Sequence, residues 1–293
     1  MKVSLNLMIV VLATITFGCK ENHFKKDVVM AGGKYVSAET LNYGKSVYTE
    51  YCMPCHGVNG DGNGVAAKGL AAPPRNFKLG LIKFGDVASG ELTHDDAIAR
   101  SLREGLKGTA MLPWDLKEKQ TDAVIQYIKT FSPKTWFGKD KELGEKIVAN
   151  NDPYGLARKT QAIEKGKKVY HGVANCQSCH RGYVNLQEFN QILVSVGEDK
   201  VNELDEDFYK IKMQDSDHGY ATMPPDFTWH EVRSAQNVQD LYIRLAAGVG
   251  GTGMPAWKGT IEDDEIWAVA YYVKSLMEIK DTPSRKELMS RFK

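Results

Sequence analysis

The segments CMPCH (52–56) and CQSCH (176–180) are the most informative in this chain. Each places two cysteines two residues apart and a histidine directly after the second cysteine. A CxxC pair occurs in redox-active disulfides, in zinc sites and in sites of covalent haem attachment, and haem attachment adds the histidine. The surrounding sequence has to distinguish among these three chemistries.

Both motifs belong to a longer sequence that occurs twice. GKSVYTEYCMPCH (44–56) matches GKKVYHGVANCQSCH (166–180), which contains two more residues. Three further matches follow in the same order: PPRNF (73–77) with PPDFT (224–228), LREGLKGTAMLPW (102–114) with LAAGVGGTGMPAW (245–257), and VIQYIKTF (124–131) with VAYYVKSL (269–276). The chain is therefore two copies of one domain.

The matches also set the predicted boundaries. In chain order, the segments are a signal peptide (1–18), a lipid-attached N-terminal linker (19–37), the first domain (38–133), a linker (134–159), the second domain (160–280) and a polar tail (281–293). The second domain carries an insertion at about 184–222, which includes the acidic stretch GEDKVNELDEDFYK (197–210). We interpret that stretch as a solvated loop or helix rather than as a docking face for a basic partner.

An all-α fold is predicted for both copies. Apolar residues recur at helical spacing in both closing segments, as Val124, Ile128 and Phe131 and as Val269, Val273 and Leu276. The spacing of Thr260 with Asp263 is typical of a helix N-terminal cap. Thr93 with Asp96, and Asn237 with Asp240, offer similar caps, and Thr121 is a candidate cap for the first closing helix. No run of residues predicts a sheet.

The N-terminus, MKVSLNLMIVVLATITFGC (1–19), is typical of a secretory signal. Its apolar stretch is too short and too interrupted for a transmembrane span. The ending Gly18-Cys19 resembles the lipobox of bacterial lipoproteins, so we expect lipid attachment at Cys19 on the periplasmic side of a bacterial membrane. The balance of 38 Lys and Arg against 37 Asp and Glu gives no basic surface for nucleic acid.

Haem attachment explains the order of the CxxCH motif best. Two thiols at this spacing add to the two vinyl groups of one porphyrin, and the next histidine reaches the iron. Neither copy has further zinc ligands at an obvious spacing, and no βαβ pattern suggests a thioredoxin-like motif. We therefore predict two covalently bound haem c groups, held by Cys52, Cys55, Cys176 and Cys179, with His56 and His180 as axial ligands.

The second axial ligand should also occupy a repeated position. Met111 in KGTAMLPW and Met254 in GGTGMPAW do so, and a thioether suits haem iron. Met223 is the competing candidate in the second copy, but its counterpart in the first copy is Ala72. The histidines without counterparts are expected to be surface or hydrogen-bonding residues: His23, His94, His171, His218 and His230.

The Pro-Pro segments are predicted to pass the histidine side of each haem. A carbonyl there would accept the second ring N–H of His56 or His180. Arg75 is a candidate for holding a haem propionate, although Asp226 takes its place in the second copy. Trp114 and Trp257 are expected to pack at the haem edges.

Taken together, CMPCH, CQSCH, GTAM, GTGM and the closing helices resemble the class I c-type cytochromes, as a tandem dihaem protein. The resemblance covers roughly residues 38–133 and 160–280. It implies two small all-α haem lobes, with the thioether and axial residues named above.

From this resemblance we expect an electron carrier rather than an enzyme. Its partners would be redox proteins, such as a respiratory donor and an oxidase or reductase. The alternatives are a dihaem enzyme with one open iron, either a peroxidase or a sulfur-compound oxidase, and a gas sensor. Both alternatives need a haem that lacks a firm methionine ligand.

Overall fold

A computed structural model describes residues 22–149 and 151–292 of the chain. As predicted, the described residues are mainly helical. The α-helices are α1 Ala38–Tyr51, α2 Met53–His56, α3 Asp95–Glu104, α4 Glu118–Lys129, α5 Pro133–Trp136, α6 Lys159–Lys168, α7 Leu186–Ser195, α8 Val238–Ala247, α9 Asp263–Glu278 and α10 Pro283–Ser290. The strands β1 Val28–Val29 and β2 Tyr35–Val36 form a short antiparallel pair.

Each half of the chain is built on the crossing of two long helices. In the first half α1 packs on α4, and in the second α6 packs on α9, which also contacts α8. A glycine stands at each crossing. A Cβ atom at Gly44 would lie 2.0 Å from the carbonyl oxygen of Ala123, and one at Gly166 would lie 2.0 Å from that of Ala268. The two halves, called the first and second lobes below, thus repeat the same close helix contact.

The apolar faces predicted for the closing helices lie in the cores. Val124 and Ile128 are buried in the first lobe, and Val269 and Val273 are buried in the second. Phe131, at the end of the first face, is partly buried and packs against the core. The period of apolar residues therefore predicted the packed faces correctly.

The two extra residues of the second copy are accommodated by a π-helix at Val169–Val173, which directly follows α6. This wider turn keeps the repeated tyrosines in equivalent places. The hydroxyl of Tyr48 donates to the carbonyl of Gly57 at 2.7 Å, and that of Tyr170 donates to the carbonyl of Arg181 at 2.9 Å.

One of the four predicted caps is confirmed. Thr93 and Thr121 are not caps, because His94 is the N-cap of α3 and Thr121 lies inside α4, whose N-cap is Lys117. The side chain of Asn237 caps α8 by accepting from the backbone N–H of Asp240 at 2.9 Å. The prediction for Thr260 is wrong, because its N–H donates to the carbonyl of Trp257 and the chain is still in a turn there. Helix α9 begins later, with Glu262 as its N-cap.

The insertion is a folded part of the second lobe. It contains α7, which Asn185 and Glu188 cap reciprocally, and a small core of Val184, Ile192 and Phe208. Its acidic side chains between residues 198 and 207 are exposed. The acidic stretch is therefore a solvated surface, as expected, but the buried Phe208 anchors it.

The lobes contact each other directly. The N–H of Gly250 donates to the carbonyl of Lys83 at 2.9 Å, and the guanidinium of Arg244 donates to the carbonyl of Gly85 at 3.1 Å. Arg75 of the first lobe bonds the imidazole of His218 at 2.7 Å. Among the helices in the described part of the chain, none has the length and apolar character needed to cross a membrane.

Candidate haem-binding sites

A cavity of about 880 Å³ in the second lobe contains the residues predicted to bind haem there. Cys176, Cys179, His180 and Met254 all line it, and Trp257 lies beside them. Two thiols, an imidazole and a thioether thus converge on one space of the size that cofactors occupy. The donor set and the cavity fit a haem.

Two of the corresponding donors of the first lobe pack against one core. Cys52, Met111 and Phe77 pack against one core cluster, which includes Tyr48 and Val124. Trp114 lies at its edge, 36% exposed, with its ring 5.6 Å from that of Tyr51. The sequence repeat is therefore also a repeat of donor groups in space.

The local turn of each CxxCH motif is the same. The N–H of His56 donates to the carbonyl of Cys52 at 2.9 Å, and that of His180 donates to the carbonyl of Cys176 at 2.9 Å. All four motif cysteines are free thiols. Burial raises the pKa of Cys52 and of Cys176 to about 12, so these thiols are not the activated thiolates of a redox-active CxxC pair.

Both histidines are held by backbone carbonyls from the Pro-Pro segments, as predicted. The Nδ1 atom of His56 lies 3.1 Å from the carbonyl oxygen of Arg75, and that of His180 lies 3.3 Å from the carbonyl oxygen of Pro225. In this tautomer Nδ1–H donates and the Nε2 lone pair is available for a metal. Burial lowers the pKa of both imidazoles, that of His180 to about 4, so both rings are neutral at pH 7.

A phenylalanine supports each histidine from the side. The ring centroids of His56 and Phe77 are 4.6 Å apart and the planes meet at 26°. Those of His180 and Phe227 are 4.9 Å apart and meet at 24°. These phenylalanines were in the matched sequence, but sequence reasoning assigned them no role.

The carbonyls that bond the two histidines, and the phenylalanines that stack on them, show which residues of the two Pro-Pro segments are equivalent. They correct the sequence match there. Arg75 is equivalent to Pro225, and Phe77 to Phe227, so the Pro-Pro pair of the second copy lies one residue closer to the phenylalanine than that of the first copy. The sequence match had paired Arg75 with Asp226, because the prolines themselves were aligned.

Asp226, which is 4% exposed, is the centre of a buried hydrogen-bond network in the second lobe. Its carboxylate accepts from the hydroxyl of Tyr183 at 3.0 Å and from the N–H and hydroxyl of Thr228. The same tyrosine oxygen accepts from the N–H of Phe227 at 2.8 Å. This network holds the loop whose carbonyl orients His180. No sequence pattern predicted the network.

The two methionine loops are built alike. A threonine hydroxyl accepts from the methionine N–H in each, at 3.1 Å from Thr109 to Met111 and at 3.2 Å from Thr252 to Met254. The methionine carbonyl then accepts from the N–H of Leu106 or of Val249. The Gly-Thr dipeptide before each methionine is repeated in the sequence. Sequence reasoning did not predict that its threonine would hold the methionine loop.

Met223 lines the same cavity as Met254, but its side chain is 48% exposed. It precedes the Pro-Pro pair and has no threonine bond of the kind that holds Met254. The loop geometry thus favours Met254 as the axial ligand.

Four of the five unmatched histidines form hydrogen bonds with their rings, and the exposed His23 contacts the ring of Phe24. His171 and His218 are buried rather than at the surface. His171 donates to the carbonyl of Lys167 and accepts from the N–H of Tyr183. Within residues 22–149 and 151–292 no three His, Cys, Asp or Glu side chains group as a metal site. Cys19 lies outside the described residues.

Comparisons with known proteins agree with this geometry. The family model for cytochrome c matches residues 41–132, and the model for cytochrome c oxidase, cbb3-type, subunit III, matches residues 161–273. A chain from the Kuenenia stuttgartiensis reducing HAO-like protein complex Kustc0457/Kustc0458 is 30% identical, with a TM-score of 0.63. That match covers 80% of this chain and 95% of the other. No curated protein matches the chain.

The chain belongs to the c-type cytochromes, with a cytochrome c domain in each half. Its domains indicate haem c binding and haem-based electron transfer.

Proposed function

We propose that this cytochrome holds one haem c in each lobe and passes single electrons between a redox donor and an acceptor protein. The observation that supports this most strongly is the repeated ligand set. In each lobe a carbonyl-oriented histidine and a threonine-held methionine accompany a CxxCH motif. With haem bound, the histidine and the methionine would occupy both axial positions of the iron, which suits electron transfer rather than substrate binding.

The proposed roles follow from the contacts. The four motif cysteines would hold haem by thioether bonds, His56 and His180 would bind iron through Nε2, and Met111 and Met254 would bind through sulfur. Bound haem supplies a one-electron iron couple, whose potential His/Met ligation raises. The chain itself orients each imidazole, keeps it neutral and surrounds it with apolar side chains, which lowers the reorganisation that an electron transfer needs.

The test is a redox titration of the purified holoprotein with an intact-mass measurement. Two covalent haems should be found by mass, and the visible spectrum should change reversibly in two one-electron steps. In the Cys176→Ala/Cys179→Ala variant one haem should remain. Two haems in that variant would contradict the attachment.

A dihaem enzyme with one open iron is the second candidate. The cavity of the second lobe favours it there, because the half-exposed Met223 shares that space with Met254. Catalytic consumption of hydrogen peroxide or of thiosulfate by the purified holoprotein would support this candidate. Absence of both, together with two reversible redox steps, would support the carrier.

The partner and location are further proposals. The related chain comes from a reducing HAO-like protein complex, and this supports a redox protein as the partner here. The Gly18-Cys19 sequence supports a lipid anchor at Cys19 on the periplasmic side of a bacterial membrane. Cys19→Ser should release the protein from the membrane fraction, whereas an unchanged distribution would contradict the anchor.

A further inference from the structure

The haem cavity of the second lobe is completed by the first lobe. Lys83, Phe84, Lys107 and Gly108, all from the first lobe, are among its lining residues. The loop that carries Lys83 is fixed at the junction, because its carbonyl accepts from the N–H of Gly250 at 2.9 Å. The position of Lys83 in this cavity is therefore set by contact between the lobes.

Two cations at this cavity have no acidic partner. Lys83 is partly buried and Arg233 is exposed at the rim, and Arg75 of the first lobe is close enough to repel Lys83. Within the described ranges no carboxylate pairs with any of these three side chains. Burial, followed by repulsion from Arg75 and Arg233, lowers the pKa of Lys83 to about 8.

Among the other cations that line the cavity, Lys107 lies near the carboxylate of Glu231. Arg244 donates to the carbonyls of Gly85 and Gly248 and to the hydroxyl of Ser234. Lys280 pairs with Glu231. The Nζ atom of Lys83 lies 5.9 Å from the centroid of the Tyr220 ring, a contact that supplies no negative charge. Because a partly buried cation is normally paired with an anion, Lys83, with the exposed Arg233 at the rim, is complementary to an anion that the protein alone does not provide.

We propose that Lys83 of the first lobe and Arg233 of the second bind the propionate carboxylates of the second haem. A haem carries two such carboxylates, and the two unpaired cations line the same cavity as His180 and Met254. This inference rests on the proposed function, since it requires haem in the second lobe. It makes one lobe a contributor to the redox properties of the other.

The expected effect is on the potential of the second haem alone. A positive charge beside a propionate favours the reduced iron, because reduction lowers the positive charge of the site. Lys83→Gln should lower that haem's midpoint potential by about 59 mV, which corresponds to a roughly tenfold change in the equilibrium constant for reduction. Arg233→Gln should lower the same potential.

The measurement is spectroelectrochemistry of the two-haem protein at neutral pH. Lys83→Arg keeps the charge and should keep the wild-type potential, which separates the charge from a structural role. Lys139→Gln is the matched control, because Lys139 is exposed and is not among the cavity residues. The second haem is identified by Met254→Ala, which should make that haem bind carbon monoxide.

The outcomes distinguish this inference from the proposed function. Two haems by mass with unchanged potentials in Lys83→Gln would overturn the propionate site and leave the proposed function intact. Addition of acetate to the wild-type protein at constant ionic strength should leave the potential unchanged, because both cations are already bound to propionates. A potential that shifts with acetate would also overturn the inference, since the cations would then be free to bind an added carboxylate. A single haem in the wild type would instead contradict the proposed function.

Discussion

Gly44 lies against the backbone of Ala123 so closely that a Cβ atom at Gly44 would stand 2.0 Å from the Ala123 carbonyl oxygen. That distance is far inside van der Waals contact, so helices α1 and α4 cross at this separation only because the residue is glycine. Gly166 has the same relation to Ala268 in the second lobe.

Gly44→Ala should therefore force α1 away from α4. We expect the free energy of unfolding to fall by about 3 kcal/mol, at the upper end of the cost of overpacking a core. Urea unfolding followed by circular dichroism measures it. Thr49→Ala, at an exposed position of the same helix, is the control and should change stability by less than about 0.5 kcal/mol. Equal stabilities for the two variants would show that the crossing is not constrained at Gly44.

The two methionines that line the cavity of the second lobe, Met254 and Met223, can be compared directly. Met254→Ala should leave both haems attached but open one iron, so that the reduced protein binds carbon monoxide at one haem of two. Met223→Ala should bind none, because its half-exposed side chain is not in the threonine-held loop. Carbon monoxide binding by Met223→Ala and not by Met254→Ala would reverse the ligand assignment.

Tyr183→Phe tests the network behind His180. The variant leaves the N–H of Phe227 without its acceptor and removes a donor to the buried carboxylate of Asp226. Leaving such groups unsatisfied costs about 1–3 kcal/mol, which should appear as a lower free energy of unfolding.

The control for Tyr183→Phe is Tyr242→Phe. Tyr242 donates to Asp263, whose carboxylate also pairs with Lys258 and remains partly in water. The control should therefore lose less stability than Tyr183→Phe. A larger loss in Tyr242→Phe would mean that the Asp226 network does not stabilise the loop.

His171 makes stability depend on pH. Burial lowers its pKa from 6.5 to about 3 in the folded protein. Its contribution is complete above pH 6.5 and is lost as the pH falls toward 3, because the unfolded chain then takes up a proton that the folded chain does not. Between these two values, protonation of His171 in the unfolded chain lowers the free energy of unfolding by about 1.4 kcal/mol for each unit by which the pH falls.

His171→Gln should reduce the slope of the free energy of unfolding against pH by about 1.4 kcal/mol per pH unit, which corresponds to one proton. This holds whatever the effect of the substitution on stability at pH 7. Denaturant unfolding at several pH values between 4 and 7 compares the slopes, and the other histidines cancel in the difference. Parallel curves for wild type and variant would rule out this role for His171.

The parts of the site that the sequence predicted are those where chemistry restricts the residue type. Cysteine, histidine and methionine recur because no other side chains supply those donors, so the match between Met111 and Met254 predicts both as axial ligands. The carbonyl bonds to His56 and His180 were also predictable, since the Pro-Pro segments had to pass nearby.

Other features depended on three-dimensional contacts. The Arg75–Pro225 equivalence is set by backbone carbonyls, which a match of residue types does not register. The bond from Arg244 to Gly85 joins residues 159 positions apart and follows from how the lobes dock. The π-helix at Val169–Val173 has no sequence signal beyond the two extra residues that it absorbs.

The central claim is that both irons are closed by histidine and methionine. The most direct test is the visible spectrum of the reduced wild-type holoprotein before and after addition of carbon monoxide. We predict no change at either haem, as expected for an electron carrier. Binding at about half of the haem would contradict this claim, since one lobe would then hold an open iron and the dihaem enzyme would become the better account.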